Sequence, residues 1–129
     1  MQTLSVATSA RVEMIDITAD VAEAVRKENV REGLALVFVP HTTAAVTINE
    51  NADPDVVRDI VAETGKIVPF DDHYHHSEGN SAAHIKTCLV GPSVTVPISG
   101  GRLALGTWQA IYFCEFDGPR QRKVHVTAK

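Results

Sequence analysis

The stretch SVTVPISGGRLALGTWQAIYFCEFDGPRQRKVHVT, residues 93–127, decides the fold class. It holds four apolar-rich runs, 93–98, 102–105, 107–116 and 121–127, separated by Ser-Gly-Gly, a bend at Gly106 and Asp-Gly-Pro. β-Branched and aromatic residues favour extended chain, and glycine, aspartate and proline between such runs mark turns. The spacing predicts an antiparallel meander. Within 107–116 a period of two puts Thr107, Gln109, Ile111, Phe113 and Glu115 on one side. Trp108, Ala110, Tyr112, Cys114 and Phe116 take the other. A face bearing both Gln109 and Glu115 is either solvated or polar for a chemical reason.

Upstream of this stretch, Gly91-Pro92 breaks the chain, and Ser81 is placed to cap a short helix through Lys86. Residues 67–80, IVPFDDHYHHSEGN, are polar and turn-rich and read as a loop. Asp53-Pro54 offers an N-cap acceptor followed by proline at the first helical position. Val56, Val57, Ile60 and Val61 form the apolar stripe of that helix, and Gly65 is placed to end it. Leu34 to Val39 and Ala44 to Asn49 read as strands joined by a short His-Thr-Thr connection, and if they pair as a hairpin Glu50 shares its approach with His41. Thr18 is placed to cap a helix running to Asn29, with Val21, Ala24 and Val25 inward and Gly33 beyond its end. Residues 2–7 and 11–17 add two more strands. The expected fold is α+β: a mostly antiparallel β-sheet with helices packed on one face.

A chain of 129 residues fits one domain, expected to span 1–129. Hydrophobic residues make up 44% and charged residues 22%, which excludes disorder as the ground state. The longest apolar runs fall far below the roughly 18 residues of a membrane span, so no membrane association is expected. The net charge of −4 and the absence of a Lys/Arg block disfavour nucleic acid as a partner. Two cysteines, Cys88 and Cys114, lie in apolar runs and make no disulfide scaffold. With no signal-peptide pattern at the start, a cytoplasmic location is expected.

Chemistry concentrates between His41 and His84. Imidazole is a common transition-metal ligand and titrates near neutrality, so a histidine cluster among acids suggests metal binding or acid–base work. His76 and His84 are the better-placed pair, one in the loop and one on the short helix. His73 and His75 fit a solvated loop. His41 follows a buried strand and Pro40, at a strand mouth where a polar side chain faces a cleft. Asp53 fits a helix cap, whereas Glu50 has no comparable structural duty and is the stronger catalytic carboxylate. Lys86, Arg120, Arg122 and Lys123 are the cations available to hold phosphate or carboxylate. No metalloprotease, P-loop, nucleophile-elbow or dinucleotide motif is present.

Three segments, VPHTTAAVTINENADPDVVRDI, HHSEGNSAAHIKTCLVGPSVTVPI and GGRLALGTWQAIYFCEFDGPRQRKV, together resemble the YjbQ family, whose members are named secondary thiamine-phosphate synthases. The resemblance covers most of the chain from Leu34 onward, and its motifs are specific in combination. It implies a homotrimer with sites near subunit boundaries, and a transferase that joins a pyrimidine diphosphate to a thiazole phosphate and releases pyrophosphate. The positions that match its polar motifs are His41, Asn49, Glu50, Asp53, His76, His84, Lys86, Gln109, Glu115, Arg120 and Arg122; of these, Glu50, His41, His76 and His84 form the expected catalytic set, and Asn49, Lys86, Gln109, Glu115, Arg120 and Arg122 the expected substrate contacts. A divalent metal is expected: zinc-like if His41, His76 and His84 hold it, magnesium if carboxylates do. The alternatives are a metal-dependent hydrolase, with Glu50 as base beside a histidine-bound metal, and a non-catalytic trimer binding metal or a small anion.

Overall fold

Alternation of side chains in and out of the core sets the strands. In the computed structural model, which describes residues 1–129, the chain runs β1 (Gln2–Ala7), β2 (Glu13–Asp16), α1 (Thr18–Glu28), β3 (Gly33–Phe38), β4 (Ala44–Glu50), α2 (Pro54–Ile67) and α3 (Ser81–Val90). It then continues through β5 (Ser93–Ser99), β6 (Arg102–Leu103), β7 (Gln109–Glu115) and β8 (Gln121–Ala128). The eight strands form two sheets, a five-stranded one ordered β1-β8-β3-β5-β6 and a three-stranded one ordered β2-β7-β4. Every pairing is antiparallel.

The α+β class stands, but the meander does not. Only β5 and β6 pair in sequence, and Asp-Gly-Pro carries the chain from one sheet to the other instead of closing a hairpin. The reason lies in β7, which is buried on both faces. Ile111 and Phe113 enter the main core against the larger sheet and α1, while Ala110, Tyr112 and Cys114 enter a second core. Ala83 of α3 belongs to that core, and Val57 of α2 packs against it. A strand with two apolar faces is stable only in the middle of its own layer stack. The helices therefore divide: α2 and α3 lie outside the small sheet, and α1 closes the space between the sheets.

For the same reason the strands flanking His-Thr-Thr do not pair. β3 belongs to the large sheet and β4 to the small one, so His41 sits at a crossover and not in a hairpin.

Several local details differ from the sequence reading; at α3 Asn80, not Ser81, is the N-cap. Ile17, not Thr18, is the N-cap of α1; the Thr18 hydroxyl accepts the Ile111 N–H at 2.9 Å and ties the helix to β7. Asn29, at φ 60°, closes α1 in the left-handed region that asparagine tolerates. Gly65 lies inside α2, which runs on to Ile67, and α3 runs past Lys86 to Val90. Asp53 caps α2 as expected, accepting the Asp55 N–H at 2.9 Å. No helix is long and apolar enough to cross a membrane.

Candidate functional site

Antiparallel register distributes the polar residues of β4 and β7 to opposite ends of the small sheet. Ala44 pairs with Glu115 at one end and Glu50 with Gln109 at the other. Six residue steps of extended chain separate those ends by about 20 Å. Glu50 is therefore remote from the His41 end of the strand within one chain, and its expected role as a base beside His41 is not what the fold builds. At its own end, its carbonyl accepts the Tyr112 hydroxyl at 3.0 Å, and the neighbouring Asn49 side chain accepts the Glu50 N–H at 2.7 Å. Gln109 is used locally, its side-chain oxygen accepting the Gly106 N–H at 2.8 Å.

The opposite end carries the more specific chemistry. Glu115 is fully buried and Arg122 is 3% exposed. The guanidinium donates from Nε to Oε1 of Glu115 at 2.9 Å and from Nη2 to Oε2, and from Nη2 to the Thr43 hydroxyl at 2.9 Å. Glu115 also accepts the Thr8 hydroxyl at 2.8 Å and the N–H groups of Phe116 and Asp117, both at 3.1 Å. Burial by itself raises a carboxyl pKa; the bonds from Arg122, Thr8 and Asp117 overcome it and hold Glu115 below the usual range. An isolated buried charge of either sign is costly, so each residue makes the other tenable. The polar face of β7 is thus explained by an internal ion pair.

That pair aims an arginine at a pocket of about 460 Å³ lined by Phe38, His41, Thr42, Thr43, Arg120 and Arg122 among others. The hydrogen bonds of Arg122 employ Nε and Nη2 and leave Nη1 unspent. Arg120 is held in the same manner by Asp117, through Nε to the carbonyl at 3.0 Å and Nη2 to the carboxylate at 3.1 Å. Asp117 in turn accepts the side-chain amide of Asn80 at 2.9 Å, which ties the arginine loop to the start of α3.

His41 Nε2 accepts the Lys123 backbone N–H at 2.9 Å. Partial burial, and then the nearby Arg122 charge, pull its pKa below the ordinary value. The neutral ring therefore carries its proton on Nδ1 and acts as a donor. A metal on Nε2 would displace the Lys123 bond, and a metal on Nδ1 would force a proton onto Nε2 facing that N–H. This geometry argues against His41 as a metal ligand in the isolated chain.

His76 and His84 do meet, with ring centroids 5.7 Å apart and edge to face. They line a separate pocket with His73, Tyr74 and His75. Glu78 Oε2 lies 3.8 Å from His76 Nε2. Within one chain no set of three His, Cys, Asp or Glu side chains converges to hold a metal. The expected trio of His41, His76 and His84 is thus split between two pockets, His76 and His84 in one and His41 in the other, and the pair needs further ligands. Lys86 joins neither group. Thr8 and Thr43 are the partners of the Glu115–Arg122 pair that sequence reasoning missed: Thr43 stood in the His-Thr-Thr connection, while nothing at Thr8 signalled its contact with Glu115.

The chain thus combines a two-sheet α+β fold with a buried Glu–Arg pair behind a histidine- and arginine-lined pocket. The chain belongs to the YjbQ-like UPF0047 family, whose model matches residues 2–129. It is 49% identical to the UPF0047 protein YugU of Bacillus subtilis, over 98% of this chain and 96% of that one. It is 50% identical to the UPF0047 protein MJ1081 of Methanocaldococcus jannaschii, over 92% and 86% of the two chains. Among solved structures, a YjbQ/UPF0047-family protein of Clostridium acetobutylicum superposes with a TM-score of 0.98 at 53% identity, covering 100% of both chains. The hypothetical protein APE1520 of Aeropyrum pernix gives 0.94 at 38% identity, covering 99% and 96%.

Proposed function

We propose that this protein is an enzyme acting on a phosphorylated small molecule, and that its reaction is of the thiamine-phosphate synthase type. The supporting observation is the Arg122 guanidinium, fixed from behind by buried Glu115 and Thr43 while Nη1 stays unspent at the pocket. Preorganised donors of this kind stabilise charge that develops on a leaving group. In the proposed transfer, a carbon–oxygen bond of the pyrimidine diphosphate breaks as the thiazole nitrogen bonds to that carbon. Pyrophosphate departs with the electron pair. Arg120, Arg122 and the Nδ1–H of neutral His41 then hold the departing oxygens.

The working unit in this proposal is a homotrimer. Leu34, Leu36 and Phe38 alternate on the outer face of β3 and are 55%, 38% and 40% exposed. Their cross-strand neighbours there include Thr95, Pro97 and Thr127. No layer of the chain covers this apolar stripe, and Phe38 also lines the arginine pocket. A second copy on this face would border the pocket and supply groups that one chain lacks. The His76–His84 pair favours a second reading, a metal-dependent hydrolase in which further ligands complete the site. The bound metal would supply an activated water.

The test is turnover of the two phosphorylated substrates, with metal content measured on untagged protein. Thiamine phosphate formation that requires added magnesium, and is lost in Arg120→Met with pyrophosphate binding weakened, supports the transferase. Glu50 lies at the other end of β4 from the pocket of its own chain, so loss of turnover in Glu50→Gln would mean that a neighbouring copy supplies it. Tightly bound zinc-like metal with hydrolysis favours the second reading. Binding of pyrophosphate with no turnover of either kind would leave only an anion-binding trimer and overturn the enzyme reading.

A further inference from the structure

Asn80 is the N-cap of α3, yet its side chain does not cap the helix. Asparagine is among the preferred N-cap residues because its side-chain oxygen accepts an N–H of the first turn. Here Oδ1 is fully buried and accepts nothing, while Nδ2 donates to Oδ2 of Asp117 at 2.9 Å. Turning the amide over would set two oxygens against each other at that distance, so the orphaned atom is Oδ1. Buried polar atoms are nearly always paired. Giving up both the cap and that pairing is a local cost that calls for a gain elsewhere.

The gain lies in the arginine loop. Oδ2 of Asp117, the atom that Asn80 holds, is also the atom that accepts Nη2 of Arg120 at 3.1 Å. The Arg120 backbone is fixed separately: its N–H donates to the Thr8 hydroxyl at 2.8 Å, and its carbonyl accepts the Thr8 N–H at 3.0 Å. The Asp117 carbonyl anchors Nε at 3.0 Å, and the Asp117 carboxylate sets the direction of the outer guanidinium. An aspartate carboxylate has a broad choice of angles about its last bond, and the Asn80 amide removes that freedom. The side chain so directed is half exposed and lines the pocket with His41 and Arg122.

We infer that Asn80 is a positioning residue: through Asp117 it presents the Arg120 guanidinium to the phosphate groups of a ligand in the His41–Arg122 pocket, a role that rests on the phosphate-binding reading of that pocket. Arg120 makes no other side-chain bond, so without the Asn80–Asp117 contact its outer guanidinium would sample several directions. A guanidinium ordered in advance spares the ligand the cost of ordering it, which for one long side chain is worth roughly 2- to 10-fold in affinity. Asn80 itself needs no contact with the ligand.

The experiment is calorimetric titration of the full chain with pyrophosphate, with the melting temperature measured on each variant. Asn80→Ser places a good capping hydroxyl at the start of α3 and is too short to reach Asp117. Asn80→Ala removes the amide and supplies no cap. Both should weaken pyrophosphate binding by the same factor, roughly 2- to 10-fold, although Asn80→Ser should melt above Asn80→Ala. In an Arg120→Met background neither change should weaken binding further. Asn80→Ser binding as tightly as wild type would overturn the inference, as would affinities that follow the melting temperatures of the two variants. A further loss in the Arg120→Met background would overturn it too. Wild type that binds no pyrophosphate would overturn the reading of the pocket itself, and the role of Asn80 with it.

Discussion

Arg122→Met should be among the most destabilising single changes in this chain. The substitution keeps an apolar stem of similar length and removes the guanidinium from Glu115, which is 0% exposed. Glu115 would retain the Thr8 hydroxyl and the N–H groups of Phe116 and Asp117 but lose its only cation. Breaking one side of a buried pair costs roughly 3–5 kcal/mol. At about 2.1 cal/mol/K per residue the unfolding entropy of 129 residues is about 270 cal/mol/K, which converts that loss to a fall in Tm of roughly 10–20 °C.

The double variant Glu115→Leu with Arg122→Met carries no orphaned charge. The Phe116 N–H keeps the Thr43 carbonyl at 3.2 Å, and the Thr8 hydroxyl keeps the Arg120 carbonyl at 3.0 Å. It should recover most of the lost Tm. The assay is calorimetric or circular-dichroism melting of wild type, both single variants and the double variant. All should be measured at one protein concentration, because association shifts Tm by mass action. A fall of less than about 3 °C for Arg122→Met, well below the 10–20 °C worked out above, would refute the reasoning, as would a double variant no better than the single.

Gly118→Ala should cost about 1–3 kcal/mol, since a new Cβ would meet the Ala10 carbonyl and approach Glu115 Cγ and Thr8 Oγ1, both at 2.8 Å; denaturant titration reads it. Asp53→Ala should cost roughly 0.5–2 kcal/mol through the lost cap on α2, seen as a modest drop in Tm. On acidification two groups with depressed folded pKa values act in turn. The His41 contribution is present above its ordinary value of 6.5 and is lost as pH falls through the folded value, and that of Glu115 is present above 4.5 and lost below it. Stability measured against pH should therefore decline in two windows, and His41→Gln should flatten only the upper one.

Local chemistry was legible in the residues because it depends on neighbours along the chain. Asp53-Pro54 specified a helix start, the alternation in 93–98 specified a strand, and the apolar stripe of α1 specified which side faces inward. The sequence resemblance also pointed to the pocket residues His41, Arg120 and Arg122, which the fold does bring together. Partner choice was not legible. Turn residues such as Asp-Gly-Pro say that the chain reverses, and they do not say whether the next strand rejoins the same sheet. The continuous apolar run through Ile111, Phe113 and Cys114 held the missing information, for a strand apolar on both faces must be covered twice.

Long-range register then decided the site. Pairing Ala44 with Glu115 and Glu50 with Gln109 sent two polar groups to opposite ends of one sheet, although Glu50 and His41 are close in sequence. The contact between Thr8 and Glu115 spans 107 positions, and that between Thr43 and Arg122 spans 79. Sequence order carries no trace of such pairs, because they exist only where separate strands are packed into one core. The sequence alone therefore determined the element types and the cationic chemistry available. The tertiary structure decided which of those groups share a pocket.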